Sequence, residues 1–400
     1  MSTLNRLPRT TSTTGPVVSR ETVLAVRNFD FVLLGAALLL ILIGILFIRS
    51  ATLGAVDTQL QTRVADQITF TLLGIPVMFA VAAIDYRLLG TLQHYIYFTL
   101  VGSLALVALA GQVGGAGAQR WLDVGIPIQP SEIGKMLIII ALAAHLVKQH
   151  VKLNRFTTVL VSLGYMALPM FLIFIQPNLG NVIVFSVIWL VMTWGAGLRG
   201  RHIVLLVLSG LAAFPLLWSQ MEEYQQSRVT TFILVNAEVD LSALPPQEAQ
   251  QLRDARYNID QSLITIGSGG FLGTGYANGS QTQGRFLRVR HTDFIFSVIA
   301  HETGFVGATV MLSLMLVVIM RVLRAAELAR DPLGSLICYG VAAVIFFQTF
   351  TAVGMNLVLL PVTGLTLPFV SSGGTSLFSL LFGLGLVQSV MLRRRVNSLA

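Results

Sequence analysis

The chain has 400 residues, of which 54% are hydrophobic and only 11% charged, with a mean hydropathy of +0.78. Those values exclude a soluble globular domain and indicate a polytopic membrane protein. The net charge of +8 comes from basic residues scattered between apolar runs, which reads as membrane orientation rather than nucleic-acid binding, and the lone Cys338 excludes a disulfide framework or a cysteine metal site.

Residues 1–28 are rich in Ser, Thr, Arg and Pro and read as a flexible tail. The first apolar run, about 29–48, is long enough to span a bilayer and lacks a small-residue cleavage site, so it reads as an anchor. Further runs lie near 67–84, 92–111, 132–148, 155–175, 179–197, 202–218, 294–320, 335–355 and 370–391, which predicts ten helices.

Basic residues fall unevenly between these runs. Arg6, Arg9, Arg20 and Arg27, then Arg87, then Lys148, Lys152 and Arg155, then Arg199 and Arg201, then Arg321, Arg324 and Arg330, and finally Arg393 to Arg395 share one side. The opposite loops and helix ends hold only Arg49, Arg63, Arg120 and Lys135, which places both termini in the cytoplasm. The expected fold is therefore an all-α polytopic membrane protein with ten transmembrane helices and a large extracytoplasmic loop between the seventh and eighth. Its parts are the tail 1–28, seven helices over 29–218, the loop 219–292, three helices over 293–392 and a basic tail 393–400.

Within the large loop, Met221 to Val229 and Gln247 to Ile264 suit short helices, the second amphipathic and suited to the membrane surface, with Pro245 and Pro246 between them. Gly267 to Gly270 and Gly273 to Gly275 supply turns, where backbone can approach a ligand closely or simply reverse direction. The loop ends at His291-Thr292-Asp293, a carboxylate at the lip of an apolar run. Ionisable groups there are costly and usually functional, although Thr292 and Asp293 would also suit a helix cap.

Other features converge on the same side. Pro130 and Ser131 suit a helix entry, and Glu132 and Lys135 are spaced to pair. The pair either ties helices together or, with Arg120 and Arg49, lines a polar cavity suited to an anion. The last loop, from Asn356 to Gly374, carries Pro361 and Pro368 and no charge, as expected of broken backbone lining that cavity. His94, His145, His150 and His202 show no metal-ligand spacing, and His291 beside Asp293 is a candidate.

The segments GAQRWLDVG, IQPSEIGK, QPNLG, DQSLITIGSGG, GSQTQGRFLRVRHTDFIFSVIAHETG and LPFVSSGGTS, in that order, resemble the SEDS family, which includes RodA, FtsW and SpoVE. The resemblance runs from about residue 29 to the end, and GTGYANGSQTQ is more similar to the elongation members, as RodA, than to the division members. It implies a peptidoglycan glycosyltransferase that polymerises lipid II at the outer face of the cytoplasmic membrane, with a class B penicillin-binding protein as partner. It also implies a divalent cation, Mg²⁺ or Mn²⁺, with ligands not identified. The family's essential aspartate falls on Asp293 and its polar cavity on Arg120, Glu132 and Lys135. Arg49, Gln261, Ser262, His291, Thr292, Ser371 and Gly373 complete the expected substrate contacts.

The sequence departs from the family at Asn178, usually an aspartate, at Arg288-Val289, usually Pro-Glu, and at His301, usually acidic. Arg288, two residues from Arg290, is a candidate to replace part of a metal's charge. Forming a β-link from an α-linked lipid pyrophosphate needs one displacement and one base, for which Asp293 is the candidate. The competing readings are a lipid-precursor flippase, a division polymerase and a scaffold for the transpeptidase. Charges gathered at one side, without paired inverted repeats, favour the enzyme over the transporter.

Overall fold

The computed structural model describes residues 28–394 except 56, 114–118, 124–126, 150–155, 222, 237–245, 285 and 288. Arg288, Lys152, Arg155, Pro245 and nearly all of both tails therefore lie outside the described residues. The helices are α1 (Phe31–Thr52), α2 (Thr58–Gln61), α3 (Arg63–Ala83), α4 (Tyr86–Thr91) and α5 (Gln93–Ala110), followed by three short strands. Then come α6 (Pro130–Gln149), α7 (Phe156–Ile175), α8 (Leu179–Gly195), α9 (Gly200–Ser219), α10 (Glu223–Asn236), α11 (Pro246–Ser268) and α12 (Ser280–Gln283). The chain closes with α13 (Ile295–Leu328), α14 (Pro332–Asn356) and α15 (Gly374–Leu392).

Each of the ten apolar runs is helical, but among the described residues eight helices are long and apolar enough to cross a bilayer, against the ten expected. The two others are α8, which has 17 residues, and α9, whose apolar part is shorter. The two loop helices form as α10 and α11, both longer than expected. An all-α chain was expected, yet β1 (Gln112–Val113), β2 (Gln119–Asp123) and β3 (Pro127–Ile128) make a small antiparallel sheet in the order β1-β2-β3. Strands this short carry no periodicity that a hydropathy pattern reveals.

The most buried spans are α6, α14 and α15, and the other helices wrap them. One end of the bundle gathers the basic residues. There Arg87 Nε meets Asp331 Oδ2 at 2.7 Å, Arg321 meets Asp30 at 2.7 Å and Arg393 meets Asp85 at 3.5 Å. The same acids cap helices: Asp30 accepts from the Leu33 N–H, Asp85 from Arg87 and Asp331 from Gly334. A hydrogen bond from Gly334, the Tyr86 hydroxyl and Arg87 hold the Asp331 carboxyl below its ordinary range, against the burial that would raise it.

The opposite end carries a break in α13. Gly304 has φ +67° and ψ −166°, so Phe305 and Val306 cannot reach the His301 and Glu302 carbonyls as an α-helix requires. The loop after α11 takes up all four freed groups. Thr274 and Gly275 donate N–H bonds to the His301 and Glu302 carbonyls, and Phe305 and Val306 donate to those of Gly270 and Phe271, at 2.9–3.2 Å. The glycine turns thus approach a split helix rather than a ligand. A Cβ on Gly304 would sit 2.3 Å from the Gly273 nitrogen, and one on Gly273 would sit 2.3 Å from the Glu302 carbonyl oxygen.

Gly304→Ala is accordingly expected to cost about 2 kcal/mol or more, from positive φ and overpacking together. Thermal unfolding in detergent measures it, with Gly35→Ala, whose added methyl meets nothing within 4 Å, as the substitution expected to leave stability intact or raise it.

Candidate functional site

A cavity of about 600 Å³ opens at the end of the bundle opposite the basic face. Six parts of the chain build it. The first turns of α3 supply Arg63, Asp66, Gln67 and Phe70, and the sheet with its exit supplies Arg120, Trp121 and Gln129. The helix starts of α6 and α8 supply Glu132, Asn178 and Asn181, the lead-in to α13 supplies Thr292 and Asp293, and the loop before α15 with that helix's first turn supplies residues 363–366 and 372–376.

The segment carrying Asp293 is held through its backbone. The carbonyl of His291 accepts from the Ser372 N–H at 3.1 Å, that of Thr292 from the Ser371 hydroxyl at 2.8 Å, and that of Asp293 from Asn356 Nδ2 at 2.8 Å. Asn356 is fully buried, and its Oδ1 also accepts from the Ser297 N–H and hydroxyl at 3.2 and 2.6 Å. The first turn of α13 is therefore capped from α14. Phe294 occupies the cap position without a side-chain bond of its own.

Arg120 donates from Nε to the Gln176 carbonyl at 3.1 Å and from Nη2 to that of Pro177, so it orders the turn between α7 and α8 as well as facing the cavity. The expected pairing of Glu132 with Lys135 is present at 2.7 Å. Glu132 reaches the cavity, whereas Lys135, 1% exposed, sits behind it and is not part of the lining. In a low-dielectric bundle an unpaired carboxylate at this depth would be costly, and Lys135 offsets that cost.

The remaining expected contacts divide. Thr292 and Gly373 line the cavity, and Gly373 donates its N–H to Gln67 Oε1 at 3.4 Å. Ser371 and His291 stand just behind it as backbone fasteners. Ser262 does not face the cavity, because its hydroxyl bonds Ser297 and the Asn356 carbonyl at 2.8 Å each. Gln261 and the exposed Arg49 also lie outside the lining. Arg49 is on the exposed side of the last turn of α1, which a one-dimensional charge count cannot distinguish from the inward side. Of the departures, Asn178 lines the cavity and caps α8 by accepting from the Asn181 N–H at 3.4 Å. His301 is buried at the break in α13, away from it, and Arg290 is turned onto the Ala51 carbonyl at 2.5 Å.

Among the residues the sequence did not single out are Asp66 and Gln67 on α3, Asn181 on α8, Asn356 and Arg63. Asn356 gives no sequence signal beyond its place at the end of an apolar run. Arg63 did give one, as one of the few basic residues on its side of the chain, and its buried Nε has no hydrogen-bond partner among the described residues. Burial, and then the charges of Arg63 and Arg290, lower the pKa of His291 from 6.5 to about 4, so it is neutral at pH 7.

The family model for cell cycle proteins of the FtsW, RodA and SpoVE type matches residues 30–396. The chain is 34% identical over 372 residues to "Peptidoglycan glycosyltransferase MrdB" of Escherichia coli (strain K12), covering 92% of this chain and 96% of that protein. It is 31% identical over 431 residues to "Peptidoglycan glycosyltransferase RodA" of Treponema pallidum (strain Nichols), covering 92% and 99%. Among solved structures it superposes on a chain of a peptidoglycan synthase complex described as coordinating polymerization and crosslinking, with a TM-score of 0.72 at 26% identity over 92% and 99% of the two chains. Rod shape determining protein RodA of Thermus thermophilus gives a TM-score of 0.65 at 27% identity over 92% and 98%.

Two outcomes follow from the fastening of Asp293. Asn356→Ala leaves the Asp293 carbonyl and the Ser297 N–H unsatisfied and is expected to lower stability by about 2 kcal/mol or more, read by thermal unfolding. Between pH 6.5 and about 4 the folded chain binds fewer protons at His291 than the unfolded chain, so stability rises with pH across that window and falls on acidification. The Tm of His291→Gln, measured against pH, is expected to fall less over the same range than that of the unsubstituted protein.

Proposed function

The chain belongs to the FtsW/RodA/SpoVE family of cell cycle proteins, and from that membership we propose that it is a peptidoglycan glycosyltransferase polymerising lipid II into glycan strands. The observation that carries the reading is that Asp293, Arg63, Arg120 and Glu132 line one cavity at one end of a multi-pass membrane protein. The basic clusters at the opposite end support a cytoplasmic side there, and with it a cavity that opens at the outer face of the cytoplasmic membrane.

The lipid pyrophosphate of the donor is an anion at the membrane surface. Arg63, with an unclaimed donor, and Arg120, fixed by the turn before α8, present two guanidinium groups to it and stabilise charge as the leaving group departs. Asp293 takes the proton of the acceptor sugar hydroxyl as that oxygen attacks the donor's anomeric carbon, so one bond forms, one breaks and the configuration inverts. The rigid fastening of residues 291–293 keeps the base in place, which matters because small displacements of a reacting group cost rate steeply.

A divalent cation fits in one way only. Among the described residues no group of three or more His, Cys, Asp or Glu side chains encloses a metal. Mg²⁺ held by one or two carboxylates and completed by substrate phosphates and water needs no such group, and Asp66 and Asp293 are the cavity carboxylates not committed to Lys135. Such an ion would supply further positive charge to the pyrophosphate.

The partner fitting this reading is a class B penicillin-binding protein, supported by the structural neighbour in which polymerization and crosslinking are coordinated. The role is cell elongation, supported by the similarity to MrdB and RodA, although FtsW of Geobacter sulfurreducens is comparably similar at 32%. A flippase would place its polar groups near the midplane, whereas these cluster at one end.

Purified protein with labelled lipid II, alone and with a class B penicillin-binding protein, tests the reading by gel separation of glycan strands. Asp293→Asn is expected to lose activity by about 10²-fold or more while inserting and unfolding as the unsubstituted protein does. Arg63→Gln is expected to lose about tenfold or more, as for one charge-assisted bond. Polymer formation by Asp293→Asn at the unsubstituted rate would remove the base assignment, and translocation without polymer would replace the enzyme by a transporter.

A further inference from the structure

The loop that repairs the break in α13 lies deeper than a solvent loop should. Two helices give the depth, both counted from one ion pair. On α1, Asp30 is tied to Arg321 at the basic end, and Ser50, twenty residues on, stands about 30 Å away along the helix, the thickness of the hydrocarbon layer. On α13, counting back twenty residues from the same Arg321 reaches His301, again about 30 Å. The two counts agree in space, because the Ser50 hydroxyl donates to Glu302 Oε1 at 2.5 Å. The hydrocarbon boundary at the cavity end therefore passes through Ser50 and residues 301–302.

The loop binds on the lipid side of that boundary. Gly270 and Phe271 accept from Phe305 and Val306, and the Tyr276 hydroxyl donates to the Leu46 carbonyl at 3.1 Å, four residues inside the boundary on α1. Its apolar tip is bare: Leu272 is 76% and Phe271 68% exposed, with the Phe271 ring stacked 6.1 Å from that of Phe305, itself 65% exposed. Below Phe305 the exposed stripe runs on through Val310 and Leu316, the face that α13 gives to lipid. Tyr276, half exposed with its hydroxyl bonded, has the amphipathic character of a residue at the membrane interface.

We infer that residues 270–276 form a membrane-inserted hairpin whose tip, Phe271 and Leu272, is buried among acyl chains of the leaflet at the cavity end. Continuity with the lipid-facing stripe of α13 and the depth set by Ser50 and Glu302 select lipid over a protein cover. Burying two such side chains contributes favourably, while the broken backbone stays satisfied because each freed group of α13 has a partner in the hairpin. The hairpin joins α11 to α12, and α11 touches the Asp293 fastening through Ser262, so the lipid surface becomes a support for that end of the bundle.

The test uses the full chain in nanodiscs of phosphatidylethanolamine and phosphatidylglycerol, with Leu272→Cys carrying an environment-sensitive fluorophore. The only native cysteine, Cys338, is buried and does not compete for the label. Asp260→Cys serves as the water-side control, since a charged, exposed residue does not sit in hydrocarbon. Nitroxide-bearing lipid is expected to quench the label at 272 about twofold or more beyond that at 260, and aqueous iodide is expected to quench it correspondingly less. Iodide access equal to the control, or shielding from both quenchers as by a second protein, would overturn the inference. Phe271→Cys, read in the same way, gives the answer if Leu272→Cys does not fold.

Discussion

Three consecutive carbonyls, those of His291, Thr292 and Asp293, each accept a hydrogen bond from the far end of the chain. The donors, Ser372, Ser371 and Asn356, flank the loop between α14 and α15, so the carboxylate and the cavity wall opposite it are set by one contact. Unpaired backbone near the lipid boundary would be costly, so this contact is both a condition of folding and the means of positioning a side chain. It also brings Asn356 to the start of α13, where it caps the Ser297 N–H from another helix.

The same economy appears at the split in α13. A helix that breaks in the membrane exposes two carbonyls and two N–H groups, and all four are answered by the backbone of residues 270–275. The polar residues around the split, Glu302 with Ser50 and the Ala277 N–H, and Arg290 with the Ala51 carbonyl, fasten the hairpin region to α1. The expected metal substitute, Arg288, lies outside the described residues, its neighbour Arg290 is occupied with structure, and the described cationic groups lining the cavity are Arg63 and Arg120.

Charge is divided by depth as well as by side. At the basic end the Arg87–Asp331 and Arg393–Asp85 pairs are partly solvated and contribute little beyond orientation, while Arg321 reaches a buried Asp30. At the cavity end Glu132 is buried with Lys135, so a polar wall can exist at membrane depth without an uncompensated carboxylate. Arg63, whose buried Nε has no hydrogen-bond partner among the described residues, lines the same space.

The family, the helical membrane architecture and the place of Asp293 at a helix lip were legible in the sequence, because hydropathy, motif order and charge asymmetry are properties of the chain read along its length. Arg120, Glu132 and Gly373 were legible for the same reason, each lying in a motif beside a span. Which way a residue turns is not a linear property: Arg49 and Arg63 look alike in the sequence, yet one faces outward and the other lines the cavity. The roles of Ser262, Ser371 and Asn356 as fasteners, and the fit of the hairpin to the break at Gly304, depend on partners up to 94 residues apart. Only tertiary structure decides such pairings, because a hydrogen bond is fixed by distance and direction in space and not by separation along the chain.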